Sequence, residues 1–269
     1  CIIVDSTRRA GALSGATHSS HWRRAPLAAS VMQEQAVDPL LEHAEKGELD
    51  AIKALGDTDF EKGLKARDED GRSALHRACA AGHVEVVKYL VNRGAEAETA
   101  DGEGWTPLHS STSKGADELV GVLLDSKADI NTATSSGAVA LHMAASKGHV
   151  QIVEMLLSAG AKRNVRDRRG GTALMRAAGT GKDRVVRKLL EAEADPTVRD
   201  TSGENALHIA INGQNVAVCE ALMAVGEAEQ MMLEENREGR TPAQLLLDLQ
   251  PIEVRDTLKC VWRNAQGGD

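Results

Sequence analysis

Gly71-Arg72-Ser73-Ala74-Leu75-His76 is followed 33 residues later by Gly104-Trp105-Thr106-Pro107-Leu108-His109, and the same frame returns at Gly137, Gly170 and Gly203. The leucine four residues after each glycine never slips: Leu75, Leu108, Leu141, Leu174 and Leu207. Histidine comes next in four of the five copies (His76, His109, His142, His208), and Met175 takes its place in the other. A fixed period of this length marks a solenoid. One small unit is repeated, and each copy buries its apolar face only against its neighbours.

Inside each copy the same physics repeats. Ser73, Thr106, Thr172 and Asn205 stand two residues after the glycine, with Val139 the exception. A side-chain oxygen there accepts an otherwise unpaired helix N–H, worth ~1 kcal/mol. Ala74, Pro107, Ala140, Ala173 or Ala206 opens the helix. Gly82, Gly115, Gly148 and Gly181 end it, with Gly213 one place early in the last copy. A second helix follows with an apolar stripe at helical spacing: Val86, Val87 and Leu90 in the first copy, Ile152, Val153 and Leu156 in the third. The loop leading to the next glycine is expected to project as a β-hairpin finger. Period 33 with the core Thr106-Pro107-Leu108-His109 is the ankyrin signature. The predicted fold is an all-α repeat solenoid, an ankyrin-repeat array of about seven helix-pair units with β-hairpin fingers.

The boundaries follow from the period. Residues 1–35 have no helical period and little acid, and are expected to be a disordered extension. They read either as an organelle transit peptide or as an over-extended gene product whose natural start is Met32. The repeat domain is expected at 36–262. Its first unit spans 36–70, the regular units 71–103, 104–136, 137–169, 170–202 and 203–238, and the last unit 239–262, with a frayed tail at 263–269. Asp38-Pro39-Leu40-Leu41 opens the first unit, and Ala51, Ile52 and Leu55 mark its second helix. Its polar surface suits an end cap, one face of which meets water. The interval from Gly203 to Gly239 is 36 residues, and the surplus in Glu227–Glu238 is expected to be a loop. Thr241-Pro242 opens the last pair, Pro251 breaks it, and Val254, Leu258 and Val261 close the stack.

The formal charge is −8, and beyond Val31 the chain carries −11. An acidic body argues against nucleic acid as a partner. No apolar run approaches a membrane span of ~18 residues. Cys1, Cys79, Cys219 and Cys260 show no C-x-x-C spacing and read as reduced thiols of a cytoplasmic or nuclear protein. No phosphate loop, nucleophile elbow or zinc-protease motif is present, and no cofactor pattern. The histidines do not form a metal ladder. Units ~10 Å apart cannot bring ligands to ~2 Å from one ion. A structural hydrogen bond near each helix start is the expected role, and His83 and His149 read the same way.

Several residues are candidates for binding. Trp105, at a finger position, is either a contact anchor for a partner or packs on a neighbouring finger. Arg72, Arg77 and Arg176, with Lys114 and Lys147, bring cations to the inner face of an acidic protein. Guanidinium forks suit carboxylates, although an ordinary solvated face would look the same.

From about Met32 to Trp262 the chain resembles the gankyrin family. The resemblance rests on Arg72 within Gly71–Cys79, on Gly104-Trp105-Thr106-Pro107-Leu108-His109, on Leu141–Lys147 with Ser146-Lys147, and on the Arg176-Ala177-Ala178 run. It implies a monomeric chaperone for assembly of the proteasome regulatory particle. The concave face of such a chaperone grips the C-terminal domain of an ATPase subunit. The matching contact positions are Asp70, Arg72, Arg77, Trp105, Met143, Lys147 and Arg176. Animal members carry an L-x-C-x-E motif in the sixth unit. Here the positions read Ile209-Ala210-Ile211-Asn212-Gly213, which favours the proteasome role over retinoblastoma-protein binding. Two other classes remain in view: an ankyrin adaptor or inhibitor in signalling, and the repeat portion of an enzyme.

Overall fold

The computed structural model describes residues 38–266. The expectations for residues 1–35, for Cys1 and for the last three residues of the tail lie outside the described residues.

Among the described residues sixteen helices follow one another. The first unit contains α1 (Pro39–Lys46), α2 (Leu49–Ala54) and α3 (Asp57–Lys65). The regular units are helix pairs: α4 (Ala74–Ala81) with α5 (Val84–Asn92), and α6 (Pro107–Lys114) with α7 (Asp117–Asp125). Then come α8 (Ala140–Lys147) with α9 (Val150–Ser158), α10 (Ala173–Gly179) with α11 (Asp183–Glu191), and α12 (Ala206–Asn212) with α13 (Val216–Met223). After α14 (Ala228–Leu233), the pair α15 (Pro242–Asp248) and α16 (Ile252–Ala265) completes the chain.

The helices pack in two rows. First helices touch in the order α1, α4, α6, α8, α10, α12, α15, and second helices in the order α5, α7, α9, α11, α13, α16. The core between the rows runs without a break from Leu40 to Leu258. Ala78, Ala144, Ala145, Ala177 and Ala178 are completely buried. With only a methyl group at these sites, successive first helices can approach closely. The predicted stripes of the second helices are the buried residues: Val86, Val87 and Leu90; Ile152, Val153 and Leu156; Val185, Val186 and Leu189.

Five details differ from the sequence reading. The first unit has a third helix, α3, which inserts Phe60 into the core at 1 % exposure. Phe60 meets Tyr89 edge-on at 5.9 Å, and the Arg93 guanidinium lies 4.3 Å above its ring. The one phenylalanine of the chain thus covers the apolar end that a regular neighbour would have covered. The left-handed turn after α12 is held by Gln214 (φ 55°), in register with Gly181, whereas Gly213 is right-handed at φ −78°. The surplus at Glu227–Glu238 is not simply a loop: α14 forms there and buries Met231 and Met232. Helix α16 runs on to Ala265, past the expected limit at 262. The fingers contain no strand among the described residues; each is a tight turn, as detailed below.

Candidate protein-binding face

Every finger is built on one side chain three residues before the frame glycine. Asp101 Oδ1 accepts the N–H groups of Glu103 (2.9 Å) and Trp105 (2.8 Å), while the Asp101 N–H bonds the Trp105 carbonyl at 2.8 Å. Asp68, Asp167, Asp200 and Asn236 accept in the same manner. With the side chain taking these donors, two main-chain bonds close each turn, in the second finger Asp101 N–H to the Trp105 carbonyl and Gly104 N–H to the Asp101 carbonyl, and no strand ladder develops. Thr134 holds the equivalent place in the third finger and bonds Ser136 instead. This aspartate repeat was legible in the sequence at the same 33-residue period, but it was masked by the more prominent glycines and histidines.

Neighbouring fingers are joined by single backbone bonds: Gly102 N–H to Asp70 (2.8 Å), Ser135 N–H to Glu103 (2.8 Å), Arg168 N–H to Ser136 (3.0 Å) and Thr201 N–H to Arg169 (2.8 Å). His76, His142 and His208 fasten their first helices to the next finger. The Nδ1 atoms of His76, His109, His142 and His208 accept the N–H of Ser73, Thr106, Val139 and Asn205 at 3.1–3.2 Å. This fixes the proton on Nε2. Nε2 then donates to the carbonyl of Trp105 (2.9 Å) from His76, of Gly171 (3.0 Å) from His142 and of Arg240 (3.1 Å) from His208. Burial pushes all four imidazoles below their usual value, His109 to about 4. His83 reaches the Glu45 carbonyl of the preceding unit at 2.9 Å. In His76, His109, His142 and His208 the Nδ1 lone pair is spent on a backbone N–H and is not left for a ligand. Among the described residues no cluster of His, Cys, Asp or Glu is arranged for a metal ion. Cys79, Cys219 and Cys260 are free, and burial raises the first two thiols to about 12.

The candidate binding residues divide into three groups. Asp70, Arg72 and Trp105 come together in an open groove of about 960 Å³ between the first two fingers, with Lys114 and Glu103 on its walls. Arg72 is ion-paired to Asp70. The Trp105 ring is half-buried and tilted against His109 at 6.2 Å, so one part of it packs and the rest faces the groove. Lys114 Nζ also donates to the Ala81 carbonyl at 3.1 Å.

Arg77 and Arg176 have a different immediate role. Arg77 grips Asp68 with Nε (3.0 Å) and Nη2 (2.8 Å) and reaches Glu45 with Nη1 (2.5 Å). Arg176 grips Asp167 with Nε (3.1 Å) and Nη2 (2.5 Å). Each fork thus locks a finger onto its own first helix. Burial tends to raise both carboxyls, but the backbone N–H groups and the arginines outweigh it and hold Asp68 and Asp167 below the ordinary carboxylate value. Met143 stands half-buried in the same row, and Lys147 is exposed with no ionic partner among the described residues.

No helix among the described residues is long and apolar enough to cross a membrane. A search of curated proteins finds no match to the chain. A family model for ankyrin repeats in three copies matches residues 40–134, 132–200 and 174–259. Ankyrin repeats form scaffolds for protein–protein interaction. With helix pairs, period and family model in agreement over most of its length, the chain belongs to the ankyrin-repeat family.

Proposed function

We propose that this chain is an assembly chaperone of the proteasome regulatory particle, acting in the cytoplasm and nucleus. It holds the C-terminal domain of one ATPase subunit on the face of fingers and first helices, and keeps that subunit from the proteolytic core until assembly is ready. The observation that carries the reading is the convergence of Asp70, Arg72 and Trp105 on one groove. These are the positions that the resemblance to the gankyrin family marks as contacts. An aromatic flanked by both signs of charge suits a helical domain with a mixed surface. The action is steric and electrostatic and needs no bond to be made or broken.

The test is capture from a native lysate with the full chain as bait, followed by binding measurements with the recovered partner. Recovery of one proteasomal ATPase without the proteolytic core is expected. Trp105→Ala, Arg72→Glu and Lys147→Glu should each weaken that complex by roughly tenfold or more. Unchanged affinity in all three would remove this face from the complex. Recovery of an unrelated protein would leave the scaffold role and replace the chaperone with a signalling adaptor.

A further inference from the structure

Among the described residues, the boundaries between regular units are bonded through side chains of their helices or helix caps, with one exception. Between α4–α5 and α6–α7, His76 Nε2 donates to the Trp105 carbonyl (2.9 Å), Lys114 Nζ donates to the Ala81 carbonyl (3.1 Å), and Lys88 pairs with Glu118 at 2.8 Å. Between α8–α9 and α10–α11, His142 Nε2 donates to the Gly171 carbonyl (3.0 Å) and Lys188 pairs with Glu154 at 3.1 Å. The next boundary lacks a histidine, because Met175 takes its place, but Asn215 Nδ2 donates to the Ala178 carbonyl at 2.8 Å.

The boundary between α6–α7 and α8–α9 has lost every one of these bonds. His109 lies near the Ala138 carbonyl, yet its buried Nε2 makes no hydrogen bond. His149 Nε2 is also buried without a partner, although His83, in the same register, donates to the Glu45 carbonyl of the preceding unit. Thr112 Oγ1 is a third buried atom without a partner, on a helix position that in the unit before is Cys79. In the second helices, Gly121 stands in register with Lys88 and Glu154, which form the ion pairs on either side. It meets only the Met155 methyl. What remains lies at the rims: Ser135 bonds Glu103 between finger tips through N–H (2.8 Å) and Oγ (2.7 Å), and Lys162 N–H bonds Asn131 Oδ1 (2.9 Å) between outer loops. The helices between these rims meet by packing alone.

We infer that this boundary is the hinge of the solenoid, about which the units before it change their angle to the units after it. A repeat array is held by its unit-to-unit interfaces one at a time, so motion collects at the interface with the fewest bonds. Packed helices slide over one another where no directed bond fixes them, and buried donors without acceptors gain from such movement. The candidate binding face straddles the hinge. Arg72 and Trp105 lie before it, and Met143 and Lys147 lie after it. The curvature of the face thereby adjusts to its partner, and a partner that touches both sides fixes the angle. The hinge is a property of the scaffold and is independent of the ATPase proposed above.

Double electron–electron resonance on the full chain tests this. Glu85, Gln151 and Ala217 are exposed, share one register on α5, α9 and α13, and are two units apart, ~20 Å. Spin labels are placed as E85C/Q151C or Q151C/A217C in a chain carrying C1S and C260S; Cys79 and Cys219 are buried. The first pair spans the hinge and should give a broader distance distribution than the second, which does not. G121E/M155K reproduces the Glu154–Lys188 pair between α7 and α9 and should narrow the first distribution. Equal widths for the two pairs, or a first distribution that G121E/M155K leaves unchanged, would overturn the inference. Failure to capture an ATPase, with the two widths different, would fall on the chaperone reading alone.

Discussion

His76, His142 and His208 each perform two tasks, and both need a neutral ring; His109 performs the first of them. Nδ1 must accept an N–H, so protonation at that atom would face a donor and break the strap. Because burial holds these rings below their usual value, the unfolded chain binds protons that the folded chain refuses. The sign follows: the contribution is fully present above about pH 6.5 and is lost as pH falls toward the lowered values, about 4 for His109. Urea unfolding should therefore show a lower midpoint at about pH 5 than at about pH 7.5. His109→Gln should make that dependence shallower, and an unaltered slope would remove His109 from the titrating set. His142→Ala should cost about 2–3 kcal/mol, because the Val139 N–H is left unpaired in the interior. A second residue-scale expectation concerns Lys127, an exposed side chain at φ 62°. Lys127→Gly should raise stability by about 0.5–1 kcal/mol in chemical denaturation, since the left-handed penalty exceeds the added entropy of glycine.

Among the elements, α10 is the one first helix of a regular unit that has no histidine to offer. Thr172 still caps it, donation to Thr172 Oγ1 coming from Met175 N–H at 3.4 Å. The Arg166 bond to the Arg199 carbonyl spans the same pair of units, as the Arg199 bond to the Glu235 carbonyl spans the next. The carbonyl that a histidine would reach belongs to Glu204, which, like Trp105, already closes its own finger. Met175→His should thus restore the strap and stabilise the chain by about 1 kcal/mol, read from the denaturant midpoint. A loss of stability would mean that packing of the methionine outweighs the bond. The capping residue of α12 shows how neighbouring elements set residue choice. Asn205 caps with Oδ1 while its Nδ2 reaches the Met231 carbonyl at 3.0 Å, a task for which serine has no donor of suitable reach. That amide ties α14 to the preceding unit.

At the scale of the molecule, a solenoid depends on its ends, because each unit is stable only through its neighbours. The first unit ends the core with Phe60, and the last does so with the length of α16. Phe60→Ala should cost about 3–5 kcal/mol. Hydrogen exchange should accelerate first in α1–α5 and much less in α10–α13. Uniform acceleration along the chain would show that the units unfold as one. Charge is distributed at the same scale. The net acidity conceals a basic stretch from Lys162 to Lys188, so a total charge of −8 describes no single part of the chain.

The repeat, the helix pairs, the caps and the second-helix stripes were set by the sequence alone, since a period of 33 residues repeats a local pattern whose only stable outcome is stacking. Residues such as Leu75 or Val153 need no partner's identity to be assigned to the core. Tertiary structure decided what depends on residues far apart in the chain. It placed Phe60 against Arg93, joined the histidines to carbonyls 29 residues or more away, and formed α14 from an insertion that no repeat pattern describes. It also determined which arginines are occupied. Arg77, Arg168, Arg169 and Arg176 are alike in the sequence. Only the position of Asp68 and Asp167 beneath two of them distinguishes a guanidinium that holds the fold from one left exposed to solvent, because a charge is satisfied by whatever lies within a few ångströms in space.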